Sequence, residues 1–180
     1  MKIGFIGPGI MPIPPDGWGA VESLIWEIAG ELGEKGHEGM IINVPDLNEI
    51  VKTVQENDFD FIHLFYDVFH PVMDAIKQVS PKSVTAISSA YPYVDQFEFH
   101  QRDGYSATYN WLVNQRGHYN FCLSDKDLET YKNSGADTSK LLRLGLGAQH
   151  KNFKFNVECE KADKTLYMAK IEVRKRQWIY

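Results

Sequence analysis

A segment rich in glycine and proline is the first part of the chain whose residues suit chemistry. Residues 7–19 contain four prolines, and Trp18 stands between Gly17 and Gly19 just before a helical pattern begins. The first amides of a helix have no partners within it, and the helix dipole places partial positive charge there. Glycines before such a helix allow positive φ, and a phosphate or carboxylate can bind. The segment therefore predicts an anion site at Gly17, Trp18 and Gly19, with a loop packed on its own domain as the alternative.

Other reactive residue types are few. Asp67 follows an apolar run that ends at Tyr66, where its carboxylate would be open to a polar ligand, whereas His63 lies within that run and is expected in the core. Cys122 stands in another apolar run and is also expected in the core. With Cys159 it makes neither a disulfide framework nor a metal knuckle. No Ser-His-Asp or metal-ligand spacing stands out, so no metal is expected.

The elements that position these residues alternate between strand and helix. Apolar runs predict strands, and apolar residues at helical spacing predict helices between them. The first predicted strand ends at Gly7, and the later strands cover residues 40–44, 61–66, 83–88, 119–123 and 141–144. The predicted helices run from Val21 to Gly36, then over residues 47–56, 72–79, 111–117 and 125–133, the last with Ser124 as N-cap.

This alternation predicts an α/β fold: a three-layer α/β/α, Rossmann-like domain with a mainly parallel sheet and helices on both faces. Ligands of such sheets bind beyond the carboxyl ends of the strands, where the strand order reverses. The loop 7–19, the segment after Tyr66 and the loop after Ser88 are expected to meet there.

Composition narrows the function classes. The 180 residues carry a formal charge of -5 with a pI near 5.7, which argues against nucleic acid as the main partner. No run approaches the roughly 18 apolar residues of a membrane span, and the N-terminus does not resemble a signal peptide. A cytoplasmic location is the expectation.

The last thirty residues change in character. Residues 151–164 are charged and without apolar periodicity, as in a linker, and residues 165–180 combine a strand pattern with a basic turn. We therefore predict a domain over residues 1–150, a linker over 151–164, and the first strand and basic turn of a truncated second domain over 165–180.

Four segments together resemble glycosyltransferase family 4, the retaining nucleotide-sugar transferases of GT-B architecture. Residues 7–22 resemble its N-terminal glycine loop, and residues 35–38 its turn before the second strand. Residues 121–127 are similar to the segment before its late N-domain helix. Residues 166–177 resemble the first strand and basic turn of its donor domain. The quoted sequences are Pro12-Ile13-Pro14-Pro15-Asp16-Gly17-Trp18-Gly19-Ala20-Val21-Glu22, Lys35-Gly36-His37-Glu38, Phe121-Cys122-Leu123-Ser124-Asp125-Lys126-Asp127 and Leu166-Tyr167-Met168-Ala169-Lys170-Ile171-Glu172-Val173-Arg174-Lys175-Arg176-Gln177.

The resemblance implies an N-terminal half of a GT-B enzyme that holds a sugar or glycolipid acceptor. A nucleotide sugar is the implied co-substrate, without metal or other cofactor. The implied contacts of the donor diphosphate are Gly17, Trp18, Gly19, Lys170, Arg174 and Lys175. The acceptor-side candidates are Asp67, Ser89, Tyr91 and Tyr93, of which the tyrosines could stack on sugar rings. No catalytic residue is assigned.

The sequence departs from the pattern of the family at three positions. Ala90 stands where the family often has a histidine, Ala169 replaces a glycine before the basic residue of the donor strand, and the Asn-Gly expected near Gly147 lacks its asparagine. The segment that grips the donor sugar is absent, so the fragment alone is expected to be inactive.

The sequence agrees with two functions and argues against a third. The first is the N-terminal half of a glycosyltransferase. The second is a non-catalytic domain, derived from such an enzyme, that binds an acceptor or a partner: a homodimer mate or a separate C-terminal half. A dinucleotide-binding oxidoreductase fails, because Pro12 replaces the third glycine of the fingerprint and no acidic residue ends the second strand.

Overall fold

A computed structural model describes residues 1–89 and 108–145. The chain divides into two units, Met1–Gly147 and Ala148–Tyr180, and every described residue belongs to the first. The strands are β1 Lys2–Ile6, β2 Glu38–Ile42, β3 Phe61–Leu64, β4 Val84–Ser88, β5 Tyr119–Cys122 and β6 Leu141–Arg143. The helices are α1 Ala20–Glu34, α2 Leu47–Gln55, α3 Val72–Val79, α4 Tyr109–Arg116 and α5 Asp125–Asn133, with 3₁₀ turns at Asp67–Phe69 and Thr138–Lys140.

The six strands form one parallel sheet in the order β2-β1-β3-β4-β5-β6. The first crossover moves from β1 to β2 in one direction, and every later crossover moves in the other. Because such crossovers are right-handed, the reversal places α1 on one face and the later helices on the opposite face. This arrangement confirms the predicted Rossmann-like α/β fold.

Side-chain packing follows the same division. Ile3, Phe5 and Phe65 contact Val21 and Ile25 of α1 in one cluster. The opposite cluster joins inward residues of all six strands to the other helices, and its helix members are Ile50, Val54, Val72, Met73, Ile76, Tyr109, Val113 and Tyr131. Cys122 is 1% exposed in this second cluster, as expected for a core cysteine.

Two strands end two residues earlier than the apolar runs suggest. The β2 strand covers Glu38–Ile42 instead of residues 40–44, because Glu38 pairs with Lys2 at the start of β1 and the Gly7 amide donates to the Ile42 carbonyl at the end. Likewise β3 ends at Leu64, where its neighbour β1 ends at Ile6. The length of each strand is set by its partner in the ladder.

Helix α5 begins with the predicted cap. The Asp127 amide donates to Ser124 Oγ at 3.0 Å, and the Ser124 amide donates to Asp127 Oδ2 at 2.8 Å. This reciprocal capping box satisfies two amides that the helix itself leaves unpaired. The cap fixes the start of the helix that delivers Tyr131 to the core.

Replacing the cap should lower the free energy of unfolding. Ser124→Ala removes one of the two reciprocal bonds, and we expect a loss of about 1 kcal/mol, measured from the midpoint of urea unfolding at unchanged slope. Thr130→Ala on the same helix is the control, since it removes only a bond from Thr130 Oγ1 to the Lys126 carbonyl, which is already part of the helix. Equal losses in the two variants would contradict the role of the cap.

Candidate functional site

The strand order reverses at β1, and this reversal creates the candidate site. Beyond its carboxyl end, β1 continues into the loop 7–19 and α1 on one face, while its neighbour β3 continues into Asp67–Phe69 and α3 on the other. Because the two connections diverge to opposite faces, a crevice opens between them, as at other topological switch points. The sequence-predicted loop therefore lies at the edge where ligands of such sheets bind.

Asn43, just past β2, anchors the first half of the loop. Its Oδ1 accepts from the Gly9 amide and its Nδ2 donates to the Met11 carbonyl, both at 2.8 Å. A Cβ on Gly7 would stand 2.6 Å from Asn43 Oδ1, and one on Gly9 would stand 2.4 Å from Pro45 N. Gly9 also has φ +66°. Close packing explains a glycine at both positions, and the positive φ explains Gly9 further, so neither glycine has to be explained by a ligand.

The second half of the loop differs from the sequence expectation. Gly9 has the positive φ predicted for Gly17 or Gly19, and Gly19 has an extended φ of 162°. A Cβ on Gly19 would come within 3.0 Å of Met11 Cε and of Pro15 Cβ, whereas Gly17 has open space around it. A glycine is therefore needed at position 19 because its neighbours leave no room for a side chain, and not because the backbone turns there. Trp18 is 72% exposed, so most of its ring is open.

Glu22 is a residue of this site that the sequence analysis did not single out. It lies in the first turn of α1 yet is only 4% exposed, and its Oε2 is 3.2 Å from the place a Cβ on Gly19 would take. A signal was present in the sequence, since Glu22 precedes Ile25 by three residues and so borders the apolar stripe of the helix. Its carboxylate lies against the start of α1.

The Glu22 charge changes what the helix end can hold. Two like charges about 4 Å apart repel by about 4 kcal/mol at an effective dielectric of about 20. A helix N-terminus stabilises an anion by about 0.3–1 kcal/mol, and by about 2 kcal/mol at best. The repulsion is the larger effect. An anion at Gly17–Gly19 therefore requires cations from elsewhere.

Asp67 and Ser89 come together at the carboxyl ends of β3 and β4. Tyr66 and Ser89 form an antiparallel bridge there, and Ser89 Oγ lies 2.7 Å from Tyr131 Oη. Asp67 is 6% exposed, and burial raises its pKa to about 6, against a hydrogen bond from Ser89 that lowers it. Burial of Tyr131 likewise raises the pKa of its phenol. Asp67 therefore lies inside a hydrogen-bonded group instead of on an open loop.

The histidines near this edge are structural. Burial lowers the pKa of His63 to about 3, its Nε2 lies 2.7 Å from Ser88 Oγ, and its ring stacks 3.8 Å from that of Phe65. His63 is 4% exposed, as expected for a core histidine. Burial also lowers the pKa of His70 to about 4, helped by the charge of Arg116, whose Nη1 lies against its Nδ1.

The remaining sequence candidates fall outside the described residues: Tyr91, Tyr93, Lys170, Arg174 and Lys175. The predicted linker and basic turn fall outside them too. Within residues 1–89 and 108–145, no group of three or more histidine, cysteine, aspartate or glutamate side chains is placed to hold a metal ion. Nor does a helix in these ranges have the length and apolar character to cross a membrane.

Solved structures with the same architecture identify the fold. Anabaena HepE in complex with UDP and glucose matches with a TM-score of 0.57 at 14% identity, over 87% of this chain and 47% of HepE. The HepE complex with UDP-glucose gives the same values. The neighbours are GT-B glycosyltransferases. The chain has a Rossmann-like fold of the kind found in these enzymes.

A second neighbour is the lipopolysaccharide outer core galactosyltransferase WaaB in its apo form, with a TM-score of 0.51 at 12% identity over 79% of this chain and 44% of WaaB. The chain thus spans about half the length of the structures it matches. No protein-family model matches it, and no curated protein matches it by sequence.

The raised pKa of Asp67 predicts a pH-dependent contribution to stability. An aspartate with a pKa of about 6 when folded and 3.8 otherwise binds more protons in the folded state. Its contribution to the free energy of unfolding is therefore most favourable below about pH 4. At most about 3 kcal/mol of this contribution is lost as the pH rises past 6. Asp67→Asn has no such titration, so the stability of the wild type relative to this variant should fall between pH 4 and pH 7.5.

Urea unfolding of both proteins at several pH values measures this difference. His63 and His70 have lowered pKa values, so their contribution changes in the opposite sense and is lost as the pH falls, but it is common to both proteins and cancels. Asp58→Asn, at an exposed position, is the control. A constant difference between the wild type and Asp67→Asn would contradict the raised pKa.

Proposed function

We propose that this chain is the acceptor-side half of a glycosyltransferase that moves a sugar from a nucleotide-sugar donor to an acceptor, with retention of configuration. The observation that carries the proposal is the loop 7–19, which enters α1 at the switch point of a sheet whose fold is shared with GT-B glycosyltransferases. Structures of one neighbour hold UDP and UDP-glucose. The family 4 relationship belongs to the same proposal.

On the donor side, Gly17, Trp18 and Gly19 are the proposed loop contacts of the diphosphate. The departing nucleoside diphosphate gathers negative charge, and nearby cations lower the barrier for its departure. Because Glu22 opposes an anion at the start of α1, the loop cannot supply this stabilisation alone. The charge balance favours a role for the basic residues Lys170, Arg174 and Lys175.

On the acceptor side, Asp67, Ser89, Tyr91 and Tyr93 are the proposed contacts. The place of Asp67 and Ser89 at the carboxyl ends of β3 and β4, beside the switch point, supports this choice, whereas their burial argues against it. A sugar or glycolipid is the proposed acceptor, without metal or other cofactor, and the proposed location is the cytoplasm.

A non-catalytic acceptor-binding or partner-binding domain is the second candidate. Ala90 favours it, since the resemblance places a histidine there near the reacting sugar. Its partner would be a second copy or a separate C-terminal half.

Turnover separates the two candidates. The purified 180-residue chain is incubated with UDP-glucose, and release of UDP is followed with and without sugar acceptors. Release stimulated by an acceptor supports the enzyme and contradicts the expected inactivity of the chain alone. Binding of UDP without release is the result expected of the half enzyme, whereas binding of a sugar acceptor without binding of UDP supports the binding domain. Absence of release and of both kinds of binding overturns the proposal.

The basic residues provide a further prediction. Replacing Lys170, Arg174 and Lys175 by alanine should weaken UDP binding at least about tenfold, because each charge-assisted bond to a phosphate contributes about 1.5–3 kcal/mol. Isothermal titration calorimetry measures the change. A control with Lys151, Lys154 and Lys161 replaced by alanine has the same net charge and should bind UDP as the wild type does. Equal weakening in both triple variants would contradict the assignment.

A further inference from the structure

Tyr131 of α5 brings a hydroxyl group from a distant part of the chain to the carboxyl ends of β3 and β4. The side chain is 1% exposed, and its Oη lies 2.7 Å from Oγ of Ser89, which stands 42 positions earlier in the sequence. A phenylalanine would fill the same core position without the cost of burying a hydroxyl group. The hydroxyl group of Tyr131 therefore needs an explanation beyond packing.

Ser89 links Tyr131 to Asp67. Its backbone is fixed by the bridge to Tyr66, its side chain is buried, and its hydroxyl group hydrogen-bonds to the Asp67 carboxylate, which lowers the pKa of that group. A serine hydroxyl has one proton to donate and can accept two hydrogen bonds. When Ser89 donates its proton to Asp67, its oxygen is left to accept from Tyr131.

The protonation states at the two ends fix the direction of these hydrogen bonds. Burial raises the pKa of the Tyr131 phenol above its ordinary value of 10, and the charge of Asp67 raises it further, so Tyr131 keeps its proton. An ionised carboxylate has no proton and only accepts. With Asp67 ionised, Tyr131 therefore donates to Ser89, and Ser89 donates to Asp67.

We propose that Tyr131 is a positioning residue of the acceptor side, whose hydroxyl group acts through Ser89 to orient the Asp67 carboxylate. Each hydrogen bond in such a chain polarises the next one, so the bond from Tyr131 makes Ser89 a stronger donor to Asp67. Because its hydroxyl group is bonded to two partners, Ser89 is held in one orientation at the end of β4. Tyr131 itself lies in the core and touches no substrate.

Three further titratable groups face this chain of hydrogen bonds. Tyr109 hydrogen-bonds to Asp67 and so stabilises the same carboxylate by a second route. Cys122 and Asp127 act on Tyr131 through their charges and raise the pKa of its phenol. All three groups are unchanged in the variants proposed below, so their effects cancel when a variant is compared with the wild type.

This inference rests on the proposed function only for the choice of a sugar acceptor as the ligand beside Asp67 and Ser89. The pKa of Asp67 reports on the contact with Tyr131 whether or not the chain binds a sugar. The two can therefore fail separately: absence of sugar binding counts against the proposed function, whereas an unchanged pKa of Asp67 counts against the role of Tyr131.

The first test measures the pKa of Asp67 in the full chain from its carboxyl ¹³C NMR signal. Tyr131→Phe keeps the ring and removes the hydroxyl group, so the pKa of Asp67 should rise by about 0.3, because Ser89 becomes a weaker donor. Ser89→Ala should raise this pKa by about 1, since it removes a hydrogen bond to the charged form. Adding Tyr131→Phe to Ser89→Ala should raise it no further, because Tyr131 acts through Ser89.

The second test is titration with glucose and galactose at pH 7.5, where Asp67 is ionised, followed through the amide NMR signals of residues 85–89. Tyr131→Phe should weaken the affinity for the sugar that binds by about threefold or more. Tyr119→Phe makes the same chemical change at a tyrosine that is 39% exposed, and this control should behave as the wild type in both tests. An unchanged pKa of Asp67 in Tyr131→Phe, an equal rise with and without Ser89, or an unaltered sugar affinity would overturn the proposal.

Discussion

The place of β1 between β2 and β3 is the constraint on which the rest of this structure depends. A chain that leaves β1 toward β2 and then crosses back to β3 must put α1 on one face and the later helices on the other, because both crossovers are right-handed. The crevice, the loop 7–19 and the Asp67 turn follow from that reversal. Asn43 then holds the loop through two hydrogen bonds. Because Gly7 and Gly9 have no side chain, the loop can pass close to Asn43 and Pro45.

The charge of Glu22 decides how well the crevice can hold an anion. An unoccupied helix N-terminus attracts anions in general, but the Glu22 carboxylate beside Gly19 opposes them more strongly than the dipole favours them. The same loop geometry can therefore serve different ligands according to one side chain. At this helix end, the Glu22 carboxylate opposes a diphosphate held by the loop alone.

Burial decides the character of the neighbouring polar group. Asp67, Ser89 and Tyr131 are all nearly inaccessible, and the raised pKa of Asp67 reports the cost of a carboxylate in that position. Such a group adds stability only where its hydrogen bonds are complete, so it restricts the arrangement of β3, β4 and α5 around it. His63 and Ser88 make a similar buried pair on the other face of the sheet.

The sequence by itself determined the element order, the parallel sheet, the core positions of His63 and Cys122, and the cap at Ser124. These features depend on local periodicity and on residue type, which can be read without knowing the fold. It also located the loop before α1. The resemblance to a glycosyltransferase named the same fold that the solved structures share, although their low identity extends the likeness to the fold alone.

Only the tertiary structure decided the ends of β2 and β3, the positive φ at Gly9, the pairing of Asp67 with Ser89 and the burial of Glu22. Each depends on contacts between residues far apart in the chain: ladder partners for the strands, Asn43 and Pro45 for Gly9, and Met11 and Pro15 around Gly19 and Glu22. A pattern of residue types records which side chains are apolar or charged. It does not record which of them folding buries, and at this site burial sets the chemistry.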